Sequence, residues 1–170
     1  MQIRPATIAD ARRIAEIHVA AWRIAYRGQM PDAFLEKLDV EKRAAFWQTQ
    51  LSSQSYGVSV AETDQQIIGF CDLIPSRDRD ADSQTTGEIA AIYVQPEHWR
   101  QGVGEELLGY ALETARRKQF LAVTLWVLTT NHAARKFYEA MGFSLDGAAK
   151  VDQIVEYKHE LPEVRYRKPL

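Results

Sequence analysis

The chain has 170 residues, of which 46% are hydrophobic and 26% are charged. These proportions are typical of a globular protein and exclude a disordered chain. The 23 acidic residues outnumber the 21 basic ones and give a formal net charge of -2, so no nucleic-acid partner is expected. The length suits one domain over residues 1–170.

Cysteine usage and hydropathy indicate a cytoplasmic protein. Cys71 is the single cysteine, which excludes an intramolecular disulfide and suits the reducing cytoplasm. It lies in the apolar run IIGFCDLI and is predicted to be a buried small hydrophobe. The N-terminal MQIRPATIAD lacks the pattern of a signal peptide, and no stretch has the roughly 18–20 apolar residues that a membrane span needs. We therefore expect no membrane contact.

The first part of the chain predicts a short strand and two helical stretches. QIRPAT is typical of a strand, and Thr7 followed by Asp10 resembles a capping box that opens a helix. From Ile14 onward apolar residues recur at three- and four-residue steps, and Gly28 is expected to end this helix. PDAFLEKLDVEKRAAFWQTQL predicts a second helical stretch, broken near Asp39.

The middle of the chain predicts a hairpin, a loop, a strand and a helix. YGVSVAET and QQIIGFCDLI are rich in β-formers and are separated by Asp64 and Gln65, which indicates a hairpin. PSRDRDADSQTTG is polar and predicts a solvated, mobile loop, or else a cover over a site. EIAAIYV predicts a buried strand. From Val103 an apolar stripe, with an acidic first turn and a basic last turn, predicts a helix.

The last part of the chain predicts a strand, a helix and two further strands. LAVTLWVL is the strand, and NHAARKFYEAM is the helix, with Asn131 as its N-cap and Gly142 at its exit. The tail KVDQIVEYKHELPEVRYRKPL predicts two strands separated at Pro162, and the alternating charges of RYRK predict a solvated strand face. The resulting order, β-α-α-β-β-β-α-β-α-β-β, is that of a single mixed α/β domain.

The stretch VQPEHWRQGVGEELL, between the central strand and the following helix, contains Gly102 and Gly104. A helix N-terminus carries unpaired amides and a partial positive charge, and glycines let an anion approach closely. Leu107 stands where a Rossmann turn needs a third glycine, and the Gly-Lys-Ser/Thr of a P-loop is absent from the sequence. Taken alone, the stretch is either a plain turn or an anion site.

Together with N…A…FYEAMGF, some thirty residues later, this stretch resembles the GNAT superfamily of N-acetyltransferases, which use acetyl-CoA. The family's pyrophosphate loop, Gln/Arg-x-x-Gly-x-Gly/Ala, places its last two fixed positions on Gly102 and Gly104, but its first on Trp99. The resemblance covers nearly the whole chain. It implies an α/β (α+β) domain whose central sheet is mixed, mostly antiparallel and six- to seven-stranded, with about four flanking helices.

The resemblance also implies roles for individual residues. Glu88 matches the general base that removes the proton of the amine, directly or through water, and Tyr138 matches the general acid that protonates the leaving thiolate. A bulge in the central strand frees backbone groups for the pantetheine arm and the thioester carbonyl. The residues with an implied role in cofactor binding are Ile92, Tyr93, Val94, Arg100, Gln101, Gly102, Val103, Gly104 and Asn131.

The same residues have structural interpretations that the sequence leaves open. Glu88 is equally consistent with a solvated, inert carboxylate, Tyr138 with a core aromatic, and Asn131 with a helix cap alone. In the family the first helical region helps to line the acceptor pocket. The residues expected to bind the acceptor are Trp22, Tyr26 and Phe34.

The sequence therefore favours transfer of an acetyl group from acetyl-CoA to a primary amine of a small molecule or a peptide. The aromatic content and the modest net charge lean toward a small molecule. The four histidines are scattered without metal-binding spacing, so no metal is expected. Because Trp99 departs from the motif, a non-catalytic CoA-binding sensor or interaction module on the same fold is the alternative. Family members often dimerise through their C-terminal strands, so a homodimer is a further expectation.

Overall fold

The computed structural model describes residues 1–53 and 57–170. Its strands are β1 (Gln2–Pro5), β2 (Gly57–Thr63), β3 (Gln66–Pro75), β4 (Thr86–Val94), β5 (Ala122–Leu128), β6 (Ser144–Ile154) and β7 (His159–Pro169). They form one seven-stranded sheet in the order β1-β2-β3-β4-β5-β7-β6. Strands β4 and β5 are parallel, and the other five neighbouring pairs are antiparallel. The predicted sheet is confirmed, although Tyr56, at the start of the predicted YGVSVAET strand, lies outside the described residues.

The described residues form five α-helices, one more than the predicted number of about four. They are α1 (Ala11–Ala25), α2 (Asp32–Glu36), α3 (Val40–Ser52), α4 (Val103–Arg117) and α5 (His132–Ala140). The predicted break near Asp39 is confirmed, because its side chain accepts hydrogen bonds from the amides of Glu41 (2.8 Å) and Lys42 (3.1 Å) and caps α3. This cap makes α2 and α3 separate helices, so three helices precede β2. Over the described ranges, no helix has both the length and the apolar character needed to cross a bilayer.

The helices cover both faces of the sheet. On one face α1 and α3 bury Ile14 and Trp47 against Phe70 of β3. On the other face α4 buries Leu107 against Cys71 of the same strand. Cys71 is fully buried, as predicted. Because β3 is covered on both faces, it is apolar along most of its length.

Two local signals in the sequence are confirmed. Thr7 and Asp10 form the predicted capping box, in which the Thr7 amide donates to Asp10 Oδ2 (2.7 Å) at a short 3-10 turn that leads into α1. The hairpin between β2 and β3 turns at Asp64 and Gln65, whose φ angles are 49° and 63°. Two consecutive left-handed residues match the twist of an antiparallel pair.

The predicted break between the last two strands at Pro162 is wrong. Strand β7 continues through Pro162, and the chain turns earlier, at a 3-10 segment that ends at Lys158 (φ 49°). The Pro162 carbonyl accepts a hydrogen bond from the Thr129 amide (2.9 Å), just beyond the end of β5. The ring nitrogen therefore faces a side of β7 where the neighbouring strand has ended, and the missing donor breaks no strand pairing.

The RYRK segment is not the solvated strand face that its charges predict. Tyr166 is fully buried, and Arg165 is only 7% exposed. Arg165 donates hydrogen bonds of 2.7–3.0 Å to three carboxylates, which belong to Asp78, Asp80 and Asp146. Two of these acids lie in the polar loop between β3 and β4. This loop, predicted to be mobile, is therefore anchored to β7 by ion pairs.

Replacing Arg165 with Ala is expected to lower the free energy of unfolding by about 3–5 kcal/mol, because removing one partner of a buried pair leaves the other charge uncompensated. Asp78 and Asp146 would lose their counter-charge while their side chains are only 14% exposed. Urea unfolding at pH 7 measures the change. The control is Arg116→Ala, which removes an exposed pair with Glu113 and should cost less than about 1 kcal/mol. Equal effects of the two substitutions would contradict the anchoring role.

Candidate active site

Strands β4 and β5 pair over only three residues and then diverge. The pairs are Thr86 with Ala122, Gly87 with Val123, and Glu88 with Thr124. Between Ile89 and Ala91 the register of β4 against β3 shifts, so Ala90 is an extra residue and β4 bulges there. The bulge implied by the family resemblance is present. In the described structure, the backbone of Ile92, Tyr93 and Val94 has no strand partner on the side that faces β5.

The turn between β4 and α4 presents free backbone amides. Arg100 (φ 59°) and Gly102 (φ 83°) are both left-handed and fold the chain sharply before the helix. The Glu106 amide donates to the Gly102 carbonyl (3.1 Å), so the amides of residues 103–105 have no acceptor within α4. These amides lie at the positive end of the helix dipole, an arrangement that binds phosphates. The turn therefore offers the donors that a pyrophosphate needs.

The side chains of this turn depart from the family pattern. Trp99, at the position of the expected Gln or Arg, donates its Nε1–H to the Val94 carbonyl (2.7 Å). Gln101 donates to the Glu97 carbonyl (3.0 Å) and so makes a local contact. Arg100 is exposed, and its side chain makes no hydrogen bond or ion pair with any residue that the structure describes. The guanidinium group of Arg100 is therefore available to bind an anion.

The two glycines of the turn have different surroundings. At Gly102 the positive φ disfavours other residues, although a Cβ there would meet no described atom within 4 Å. At Gly104 a Cβ would lie 3.4 Å from Cζ of Phe137, which is an ordinary van der Waals distance. The packing of α4 against α5 therefore leaves room for a Cβ at residue 104.

Asn131 caps α5, as predicted. Its Oδ1 accepts a hydrogen bond from the Ala134 amide (3.2 Å). This contact uses the carbonyl oxygen of the side chain and leaves its NH₂ group as a donor. Capping and a contact with a pantetheine carbonyl are therefore chemically compatible.

Tyr138 combines a buried ring with a hydroxyl that keeps its proton. The ring packs against Phe143 and Tyr166, with centroids 6.2 and 6.4 Å away. Burial raises the pKa of Tyr138, and the nearby Tyr26 and Cys71 raise it further. Tyr26 is the C-cap of α1, across the sheet from α5. The structure thus supports the core interpretation of the ring and is also consistent with a proton donor.

Glu88 lies at the last residue pair before β4 and β5 diverge. It is 3% exposed, so its interpretation as a solvated carboxylate is wrong. Arg77, in the loop between β3 and β4, donates to Glu88 from its backbone amide (3.1 Å), its Nε (3.2 Å) and its Nη2. Both carboxylate oxygens are therefore occupied. Arg77 thus competes with a substrate for the lone pairs of Glu88, and the Arg77 side chain is 67% exposed.

The structure brings the three expected acceptor residues together on the α1 side of the sheet. The Trp22 ring lies 5.1 Å from that of Tyr26 and 6.4 Å from that of Phe34. The Tyr26 hydroxyl is 3.1 Å from the hydroxyl of Tyr93 on β4, and His18 stacks on the Tyr93 ring at 4.9 Å. These residues form an aromatic wall beside the opening between β4 and β5, and their binding of the acceptor stays a prediction.

Sequence reasoning missed Asp72 and Arg77. Asp72, on β3, is 7% exposed. Burial raises the pKa of Asp72 to about 6, with a lowering contribution from Arg77 and a raising one from Glu88. The available signal was an acidic residue inside QIIGFCDLIP, because a charge in a strand buried on both faces needs a partner or a function.

The chain matches the family model described as the Acetyltransferase (GNAT) family over residues 12–143. It belongs to this family and is an acyltransferase that depends on acetyl-CoA. The resemblance read from the glycine turn and the FYEAMGF segment is confirmed. Family membership favours the enzyme over the non-catalytic module.

Individual relatives agree with this placement. A protein of Archaeoglobus fulgidus, named an uncharacterized N-acetyltransferase, is 33% identical over 138 residues, which are 81% of this chain and 89% of the relative. The spermidine N(1)-acetyltransferase of Thermoplasma acidophilum is 25% identical over 166 residues, 94% of this chain and 98% of the relative. The crystal structure of the PaiA N-acetyltransferase from Thermoplasma acidophilum, in complex with coenzyme A, has a TM-score of 0.77 at 22% identity and covers 99% of this chain and 98% of its own. That structure shares the fold.

Replacing Gly102 with Ala is expected to lower the free energy of unfolding by about 1 kcal/mol, because a Cβ is disfavoured in the left-handed region. Gly102→Asn is the matched control, since Asn tolerates this conformation and should lose clearly less. Urea unfolding of the three proteins measures the difference. If Ala and Asn are equally destabilising, the positive φ of residue 102 is not the reason for glycine.

Proposed function

We propose that this protein transfers the acetyl group of acetyl-CoA directly to the primary amine of a small molecule. The main support for this proposal is that β4 and β5 diverge beside the free amides at the start of α4. The divergence opens a path through the sheet. Tyr138 belongs to the core on the α4 face, Tyr26 packs with Trp22 and Phe34 on the α1 side, and the two hydroxyls interact electrostatically. This arrangement suits a cofactor and an acceptor that meet at the opening from opposite sides.

We assign the pyrophosphate of the cofactor to the amides of residues 103–105 and to Arg100. The amides lack helical acceptors and Arg100 lacks a partner among the described residues, so both fit a dianionic group. The side-chain NH₂ of Asn131 and the backbone of Ile92 and Tyr93 are assigned to the pantetheine arm. The bound cofactor supplies a thioester, whose carbonyl carbon is open to attack by an amine.

The acceptor needs a base. An alkylamine has a pKa near 10, so at pH 7 only about one molecule in a thousand is neutral and nucleophilic. Buried carboxylates on the acceptor side of the sheet meet this need. Glu88 matches the position implied by the family, and Arg77 competes with the amine for its oxygens.

The backbone of β4 and the side chain of Tyr138 act on the thioester, at its carbonyl oxygen and its leaving thiolate. Donors near the bulge of β4 stabilise the negative charge that develops on the carbonyl oxygen. Tyr138 donates its phenolic proton to the leaving thiolate, which makes expulsion of the thiolate easier. Burial keeps the pKa of Tyr138 above its ordinary value, so the proton is present at neutral pH.

A small cationic amine fits the acceptor side best. Trp22, Tyr26 and Phe34 offer aromatic faces that attract cations, and the buried carboxylates offer the opposite charge. The relative named a spermidine N(1)-acetyltransferase is consistent with such a substrate. A peptide amine is the competing acceptor.

An acetyl-transfer screen tests the function. The panel contains polyamines, amino acids, aminoglycosides and peptides with a free N-terminus, and the mass of each product identifies the acceptor. We expect an acetylated small amine and an equal amount of free CoA. If no amine releases CoA faster than hydrolysis does, while acetyl-CoA still raises the Tm, the protein is a binding module and the proposed function is wrong.

Changing Tyr138 to Phe is expected to lower kcat by about 10²–10⁴-fold, because the proton donor is lost. Affinity for CoA should stay within about twofold, since the ring still packs against Phe143 and Tyr166. Steady-state kinetics and calorimetry measure the two effects. Tyr110→Phe, on α4, is the matched control outside the site. If the turnover of Tyr138→Phe equals that of the wild type from pH 6 to pH 9, Tyr138 is not the proton donor.

A further inference from the structure

We propose that Asp72 accepts the proton of the acceptor amine, while Glu88 stays bound to Arg77. This role presupposes acetyl transfer to an amine, the function that we propose for the protein. It gives β3 a catalytic side chain in addition to the groups on β4 and α5.

Asp72 lies on β3, close to the part of β4 that we assign to the cofactor. Its Cα pairs with Ala91, next to the bulged residue of β4 and one residue before the backbone that we assign to the cofactor. Side chains alternate along a strand, so Asp72 shares a face with Phe70, whose ring contacts His18 and Tyr93. That face is the acceptor side. The carboxylate is therefore one strand away from the opening and on the side from which an amine would arrive.

Glu88 is a diagonal neighbour of Asp72. It pairs with Ile74, two residues further along β3, and so lies on the same face of the sheet. The negative charge of Glu88 contributes to the raised pKa of Asp72, after burial. They form a pair of buried acids at the point where β4 and β5 separate.

The two acids differ in their hydrogen bonding. Arg77 occupies both oxygens of Glu88. The Oδ1 atom of Asp72 is buried and has no hydrogen-bond partner among the described residues. A buried carboxylate oxygen without a partner is costly, and a native structure keeps one for a reason. An ammonium group at this position would supply both the missing donor and the missing charge.

The electrostatics of the acceptor side also favour Asp72 as the base. Burial raises the pKa of Asp72 to about 6, so at pH 7 the group is mostly ionised and can still take a proton. Burial, with a contribution from Arg43, lowers the pKa of His18 to about 3, so its imidazole is a poor base. The ionisable groups on this side are His18 of α1, Tyr26 at the C-terminal cap of α1, Arg43 of α3, Tyr93 and Glu88 of β4, and Arg77 of the loop between β3 and β4.

The proton balance of the reaction is complete with these groups. Asp72 takes one proton from the ammonium and becomes a carboxylic acid. The neutral amine forms a bond to the acetyl carbon as the carbon–sulfur bond breaks, and Tyr138 gives its proton to the thiolate. The nitrogen then loses a second proton, which returns to the phenolate oxygen of Tyr138. The proton on Asp72 passes to water after the products leave, so the protein returns to its starting state.

Kinetics of Asp72→Asn and Glu88→Gln test the assignment. For an amine found in the screen, kcat/KM of the wild type should fall below about pH 6. Asp72→Asn should lose about 10²–10⁴-fold in kcat/KM at pH 7.5 and lose this acidic limb, while affinity for CoA is kept. Glu88→Gln should lose less than about tenfold and keep the limb, because it still lets Asp72 titrate. Asp64→Asn, in the exposed turn between β2 and β3, is the matched control.

A second measurement reads the titration of Asp72 without activity. Because its folded pKa is raised above the unfolded value near 3.9, Asp72 destabilises the protein increasingly as the pH rises from about 4 to about 6. Asp72→Asn removes a buried charge, so its Tm relative to the wild type should be higher at pH 8 than at pH 4. A Tm difference that is the same at both pH values would overturn the proposal.

The outcomes separate the two proposals. A wild type that acetylates no amine contradicts the proposed function. An active wild type whose Asp72→Asn variant keeps normal turnover and the acidic limb contradicts the role of Asp72 alone. Loss of the limb in Glu88→Gln, with the limb retained in Asp72→Asn, assigns the proton to Glu88 instead.

Discussion

Strand β4 leaves its parallel neighbour β5 immediately after the pair of Glu88 and Thr124, and the site depends on where that pairing stops. Parallel strands need a long crossover, which here is α4, so the start of this helix necessarily lies near the end of β4. The bulge at Ala90 adds to the separation, because a bulge bends and twists its strand. Because β4 and β5 stop pairing here, the same region contains free backbone groups, a path through the sheet and a helix N-terminus.

The two faces of the sheet differ in the polar groups that they bury. The α4 face is an apolar core in which Leu107, Leu125 and Cys71 pack together. The α1 face holds polar atoms that are buried without a partner among the described residues, and these include His18 Nε2, Trp22 Nε1 and Asp72 Oδ1. Such atoms lower stability, and enzymes tolerate this cost where function requires it. The asymmetry marks the α1 face as the reactive side.

Local signals in the sequence were sufficient for the elements and for the turn, but not for the partners of charged residues. The cap at Asn131 and the helix break near Asp39 are predictable because a cap depends on residues two or three positions away. Arg165 was misread because its partners Asp78 and Asp80 lie more than 80 residues away, and alternating charge is typical of an exposed strand. The sequence leaves the surroundings of Glu88 open, since Arg77 reaches it from a loop 11 residues away along the chain. Trp99 was recognised as a departure, but its bond to Val94 depends on how the turn folds.

The position of β6 at the edge of the sheet has a consequence for the behaviour of the protein at high concentration. Most of its eleven residues are exposed, and Val151 is 62% exposed. An edge strand with apolar side chains is a template on which further chains add, and charged neighbours oppose such growth. Lys150 and Asp152 flank Val151 and fill this gatekeeping role. The residues that oppose aggregation along β6 are therefore separate from those at the divergence of β4 and β5.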